Sequence, residues 1–268
     1  MQAAENRMVD VGGVDLHCRV DGKPGAHWLV FSNSLMTNLY MWDAQVEALE
    51  QDYRILRYDQ RGHGDSDLPR DPCDFDTLAN DVIQLMDDHN IGHATLIGIS
   101  MGAATMLRAA QLNPGRVKSL VLCDGAAATP AGGAAAWDER IALVNVGGMD
   151  ALVEPTVNRW FLPGFVAEGS LSLNHVRGMI MSTELDGFKS CVSALQDYDF
   201  RDGLHKMYMP AQLIAGAADG NMPTAMRQMA EAMPKAEFSE IANAGHLPCI
   251  EQPEAFNAVL KAFLAQHG

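Results

Sequence analysis

The chain has 268 residues, 48% of them hydrophobic and 20% charged, with a formal net charge of −15. That is the balance of a globular protein, long enough for one large domain or for a core with an inserted cap. The acidic surface argues against nucleic acid and anionic membrane as partners, and no run of about 18 apolar residues suggests a membrane span.

Residues 1–10 are polar and carry Glu5, Arg7 and Asp10. They lack the basic start and apolar stretch of a signal peptide, so a cytoplasmic protein is expected. The first strand is expected at 14–20, entered through Gly12-Gly13, and further strands at 27–31 and 53–58. A helix is expected at 77–89, with Leu78, Val82, Leu85 and Met86 at helical spacing. Residues 94–98 and 117–123 are apolar on both faces, the mark of buried parallel strands. Between them, 101–111 reads as a helix stopped by Asn113-Pro114-Gly115. The alternation breaks over 125–202, which opens on a small-residue run at 125–136 and continues with helical stretches rich in Met, Trp and Phe. It resumes with strands at 212–216 and 237–241 and helices at 223–233 and 253–266, Pro223 standing at a first helical position. Strands alternating with helices predict an α/β fold with a mostly parallel sheet covered on both faces. The expected organisation is a core over 1–124, a helical cap over 125–202 hinged on the small-residue run, and the rest of the core over 203–268. Five scattered cysteines (Cys18, Cys73, Cys123, Cys191, Cys249) with no C-x-x-C pair suggest free thiols and neither a zinc site nor a disulfide framework.

The chemistry centres on Leu96-Ile97-Gly98-Ile99-Ser100-Met101-Gly102, a strand running through G-x-S-x-G into a helix. The pattern resembles the nucleophile turn of α/β-hydrolases. A serine on a sharp turn projects its hydroxyl above the sheet, and the N–H of the following Met101 points to where an oxyanion forms. The hydroxyl needs a base. Of nine histidines, His246 is singled out by its loop between the last strand and the last helix. His63, in Arg61-Gly62-His63-Gly64, also follows a strand and reads as structural. Asp219, after the strand at 212–216, is the best candidate acid and gives the order Ser, Asp, His expected on this fold. Asp124, directly after the strand at 117–123, is the alternative. The second oxyanion donor is expected from the backbone of Leu35, in Phe31-Ser32-Asn33-Ser34-Leu35-Met36-Thr37.

Several of these segments resemble 3-oxoadipate enol-lactonases. They are Ser32-Asn33-Ser34-Leu35 with Asn38-Leu39-Tyr40-Met41-Trp42, Tyr58-Asp59-Gln60-Arg61-Gly62-His63-Gly64, the Ser100 turn, and in the cap Trp137 with Arg140 and Arg159-Trp160-Phe161. The resemblance implies a capped α/β-hydrolase fold without metal or cofactor that hydrolyses an enol-lactone carrying a carboxylate. It also implies a substrate pocket that includes Ser34, Trp137, Arg140 and Trp160. Four features depart from the family pattern: Met36 and Ala103 where glycine is usual, Asp124 where asparagine is usual, and Gly220-Asn221-Met222-Pro223 after the candidate acid.

The expected reaction is acyl transfer to Ser100 from a small-molecule lactone or ester. Arg140 is the first choice to hold a substrate carboxylate, with Arg159 and Arg177 behind it. Met36, Met101, Met179 and Met181 are read as core packing before a pocket wall. The rivals are a carboxylesterase or acyl-homoserine lactonase with the same machinery, a cofactor-free perhydrolase or haloperoxidase, and a non-catalytic ligand receptor.

Overall fold

A computed structural model describes residues 5–268; residues 1–4, the start of the polar stretch read above for the lack of a leader, lie outside the described residues. The chain runs through β1 (Glu5–Asp10), β2 (Asp15–Gly22), β3 (Trp28–Ser32), α1 (Asp43–Leu49), β4 (Arg54–Tyr58), α2 (Phe75–Asp88), β5 (Ala94–Ile99), α3 (Met101–Leu112) and β6 (Val117–Cys123). Five helices follow: α4 (Gly133–Gly147), α5 (Asp150–Trp160), α6 (Pro163–Glu168), α7 (Leu171–Ser182) and α8 (Leu185–Gln196). The core then resumes with β7 (Ala211–Gly216), α9 (Met222–Ala232), β8 (Ala236–Ile241), α10 (Pro248–Glu251) and α11 (Pro253–His267).

All eight strands join one sheet in the order β1-β2-β4-β3-β5-β6-β7-β8. From β4 to β8 neighbouring strands are parallel; β1 and β2 pair antiparallel at one edge. Burial follows position in the sheet. Every residue of the central β5 is buried, whereas the edge strand β1 is largely exposed and the edge strand β8 is half-buried. β1 is a strand that the sequence reading missed, because a half-solvated edge strand carries polar residues and no apolar alternation. The small-residue run is also corrected: residues 133–136 already belong to α4, since alanine favours helix.

The helical insertion rises from a two-stranded neck. Phe200 N–H donates to Ala127 at 2.7 Å, and Thr129 N–H to Tyr198 at 2.9 Å. No helix among the described residues is long and apolar enough to cross a membrane. All five cysteines are buried as free thiols.

Candidate active site

Ser100 caps α3 with φ 57° and ψ −117°, a conformation that a side-chain-bearing residue adopts only under strain. The glycines around it are required by contact. A Cβ on Gly98 would lie 2.2 Å from the Gly102 carbonyl oxygen, and one on Gly102 would lie 2.3 Å from that of Ser32. Ala103 is tolerated because the facing residue is Gly125, where a Cβ would come within 2.5 Å of the Ala103 methyl.

Three of the predicted residues meet at the ends of β5, β7 and β8. The Ser100 hydroxyl donates to His246 Nε2 at 2.9 Å, and His246 Nδ1–H donates to Asp219 Oδ2 at 2.7 Å. The carboxylate partner sets this tautomer, which leaves Nε2 free to accept a proton. Burial alone would raise the Asp219 carboxyl. The charge and hydrogen bond of His246, with Arg159 and Asp124 adding, hold it below the usual carboxylate range.

The His246 loop is anchored to the insertion by contacts that the sequence reading did not find. His246 N–H donates to the Trp160 carbonyl at 2.7 Å, and the Trp160 ring stacks on the imidazole at 6.0 Å between centroids. Glu251 is buried and accepts from Gly245 N–H at 2.7 Å and Leu162 N–H at 2.8 Å, so one carboxylate ties the loop to the α5–α6 turn. Burial pushes the Glu251 carboxyl up, against the pull of these two N–H groups. Its only sequence signal was a short spacing from His246.

The loop carrying Leu35 is held by the motif residues themselves. Asn33 donates to the Tyr58 carbonyl at 2.7 Å and accepts from Trp42 Nε1 at 2.9 Å; Gln60 donates to the Asn33 carbonyl at 2.6 Å. Asp59 Oδ1 accepts Leu39 N–H at 2.7 Å. The segments that carried the resemblance are therefore the scaffold of this loop. Met36 follows Leu35 in the turn with φ 62°, the left-handed region that favours glycine. Its buried side chain lines the cavity in front of Ser100. Met101 heads α3, so its N–H is one of the helix's orphan donors.

That cavity encloses about 560 Å³ and also receives Ser34, Trp137, Arg140, Arg159 and Trp160. The Ser34 hydroxyl and the Trp160 indole N–H are buried with no hydrogen-bond partner among the described residues. Arg140 stacks over Trp137 at 4.8 Å and donates to the Ala136 carbonyl at 2.9 Å. Arg159 opens onto the cavity and makes no hydrogen bond or ion pair among the described residues. Burial, and then the neighbouring Arg140 charge, lower its pKa. Arg177 does not reach the cavity; it pairs with the exposed Glu154 at 2.7 Å, which removes it from the candidate carboxylate ligands. Met179 and Met181 also fall outside the cavity lining. His63 is fully buried, its Nδ1–H donating to the Arg61 carbonyl at 3.0 Å, and burial lowers its pKa. Among the described residues, His17, Asp59 and Asp65 form one group compact enough to hold an ion, and Asp124, Asp219 and His246 form another. In both, the imidazole is already hydrogen-bonded to a carboxylate of its own group.

A parallel sheet, a strained serine after its central strand and a histidine–aspartate pair above its edge define a hydrolase of the α/β type. The alpha/beta hydrolase fold family matches residues 27–168, and the chain belongs to that family. Within it, the chain is similar to 3-oxoadipate enol-lactonase 2 of Acinetobacter baylyi, with 35% identity over 88% of each chain. It is 32% identical to 3-oxoadipate enol-lactonase 1 of the same organism over 94% of each. The solved enol-lactonase from Burkholderia xenovorans has a TM-score of 0.92 and 34% identity, covering 97% of this chain and 100% of that one. The protein is an enzyme of the ester- and lactone-hydrolysing kind.

Proposed function

We propose that the enzyme is a serine hydrolase that opens a lactone bearing a carboxylate, with 3-oxoadipate enol-lactone as the first candidate. The observation that carries this reading is the continuous Ser100–His246–Asp219 contact facing a cavity onto which Arg159 opens without a hydrogen bond or ion pair among the described residues. His246 takes the Ser100 proton as Oγ attacks the lactone carbonyl. The N–H groups of Leu35 and Met101 hold the oxyanion, each contributing about 3 kcal/mol. The ring C–O bond breaks, the departing enol oxygen receives the proton from His246, and the enol relaxes to a ketone. Water activated by His246 then hydrolyses the acyl-serine, giving an oxo acid with one more carboxylate than the substrate. Arg159, with Arg140 beside it, holds the carboxylate already present. Ser34 and Trp160 line the pocket around the rest of the substrate.

The test compares purified enzyme on 3-oxoadipate enol-lactone, a neutral lactone of the same ring and nitrophenyl acetate. The expected result is a kcat/KM at least tenfold higher for the acid lactone than for the neutral one. Equal or better turnover of the neutral substrates would replace this reading with that of a general carboxylesterase. Failure of a fluorophosphonate probe to label Ser100 would remove the serine mechanism altogether.

A further inference from the structure

Asp124 directly follows β6, one strand across from the turn that carries Asp219. It is completely buried, with its backbone in the left-handed region at φ 40°. Its backbone N–H donates to the Ile214 carbonyl at 3.0 Å, and its Oδ1 accepts Gly216 N–H at 2.9 Å. Oδ2 has no N–H or hydroxyl donor among the described residues. The polar group beside it is the Asp219 carboxyl: Asp124, Asp219 and His246 each bring a polar atom within 4.8 Å of the others.

Two carboxyls this close, one of them completely buried, repel each other's charge strongly, so one of them keeps a proton. Asp219 has the imidazole and the Arg159 charge to support an anion. Asp124 has one backbone N–H. Resting on the serine-hydrolase reading, we infer that Asp124 is a neutral carboxylic acid whose O–H donates to the Asp219 carboxylate, a positioning residue behind Ser100–His246–Asp219 that ionises and supports His246 when Asp219 is neutralised. Burial, and then the Asp219 charge, push the Asp124 carboxyl well above its ordinary range. The other titratable groups facing it are the buried thiols of Cys123 and Cys249, both pushed up, and His246 and Arg159 on the far side of Asp219. The extra donor fixes the second side of the Asp219 carboxylate, so the oxygen that meets His246 Nδ1 stays in place through the cycle.

The experiment compares full-length wild type with Asp124→Asn, Asp124→Leu, Asp219→Asn and the double variant D124N/D219N. Infrared difference spectra of the folded wild type should contain a protonated-carboxyl band that Asp124→Asn removes. Asp124→Leu, which deletes the donor, should lower kcat by about tenfold or more, and Asp124→Asn, which keeps an N–H donor, should recover most of that loss. Asp219→Asn should lose about 10³-fold at neutral pH and regain activity as pH rises and Asp124 ionises. The double variant should fall about tenfold or more below it, with no alkaline regain. Absence of the Asp124 band, wild-type kcat in Asp124→Leu, or identical pH profiles for Asp219→Asn and the double variant would each overturn the inference. No turnover and no fluorophosphonate labelling in the wild type would overturn the serine-hydrolase reading instead. The infrared band, which needs no activity, would still report where the proton sits.

Discussion

Arg159→Gln removes the cavity guanidinium that, among the described residues, has neither hydrogen bond nor ion pair. If it holds the substrate carboxylate, the variant loses a charge-assisted hydrogen bond of about 1.5–3 kcal/mol, which is about 10- to 150-fold in kcat/KM. The loss should fall mainly on the acid lactone; a neutral ester such as nitrophenyl acetate should change far less, because no group of its own meets the arginine and only the Arg159 charge near Asp219 is lost. Folding should be little affected, since Arg159 has no protein partner to lose. Arg140→Ala should also raise KM for the acid lactone more than for the ester. Arg177→Gln, paired to Glu154 outside the cavity, should change the kinetics on neither. Initial rates on the two substrates for the wild type and the three variants decide the matter. An equal drop on both substrates for Arg159→Gln, or an equal drop in Arg177→Gln and Arg159→Gln, refutes the assignment.

Three further outcomes follow from the geometry. Met36→Gly relieves about 1–2 kcal/mol of left-handed backbone strain but loses a buried side chain of about the same worth. Its Tm should therefore move by no more than about 2 °C, while an ester panel shows faster turnover of bulkier acyl groups. Glu251→Ala leaves the Gly245 and Leu162 N–H groups buried and unpaired, at about 3 kcal/mol, so Tm should fall by about 6 °C. Because Gly245 precedes His246, kcat should fall by up to about 10²-fold with the protein still folded by circular dichroism. Asp74 caps α2, accepting Thr77 N–H at 2.7 Å; that N–H, and then the Thr77 hydroxyl, hold its carboxyl below the usual range. A depressed folded-state pKa means stabilisation present at neutral pH and lost as pH falls through that value. Asp74→Ala should accordingly cost about 1 kcal/mol at pH 7, and the Tm difference from wild type should close on acidification.

Legibility differed from residue to residue for physical reasons. Ser100 could be read locally, because a hydroxyl raised on a tight strand–helix turn demands glycines at fixed spacing, and Gly98 and Gly102 do meet backbone at 2.2 and 2.3 Å. The central strands were readable because burial on both faces requires continuous apolar runs. β1 was not, since its partner β2 supplies the pairing while its own side chains stay in water. The order of the arginines read from the chain, Arg140 first with Arg159 and Arg177 behind it, had no geometry to rest on. Which of Arg140, Arg159 and Arg177 faces the cavity depends on how α4, α5 and α7 lean on one another. Glu251 was invisible for the same reason: its two partners, Gly245 and Leu162, belong to different layers.

The sequence by itself determined the fold, the position of the strained serine and the histidine loop, because each rests on local rules of chain geometry and burial. Only the tertiary structure decided which of the two candidate acids contacts His246. Asp124 and Asp219 both follow apolar strands, and a linear pattern cannot say which one meets an imidazole 27 residues past Asp219. Pairing of β6 with β7 brings the two strand ends together. His246 then contacts Asp219, and Asp124 is left buried behind it with one oxygen still to satisfy.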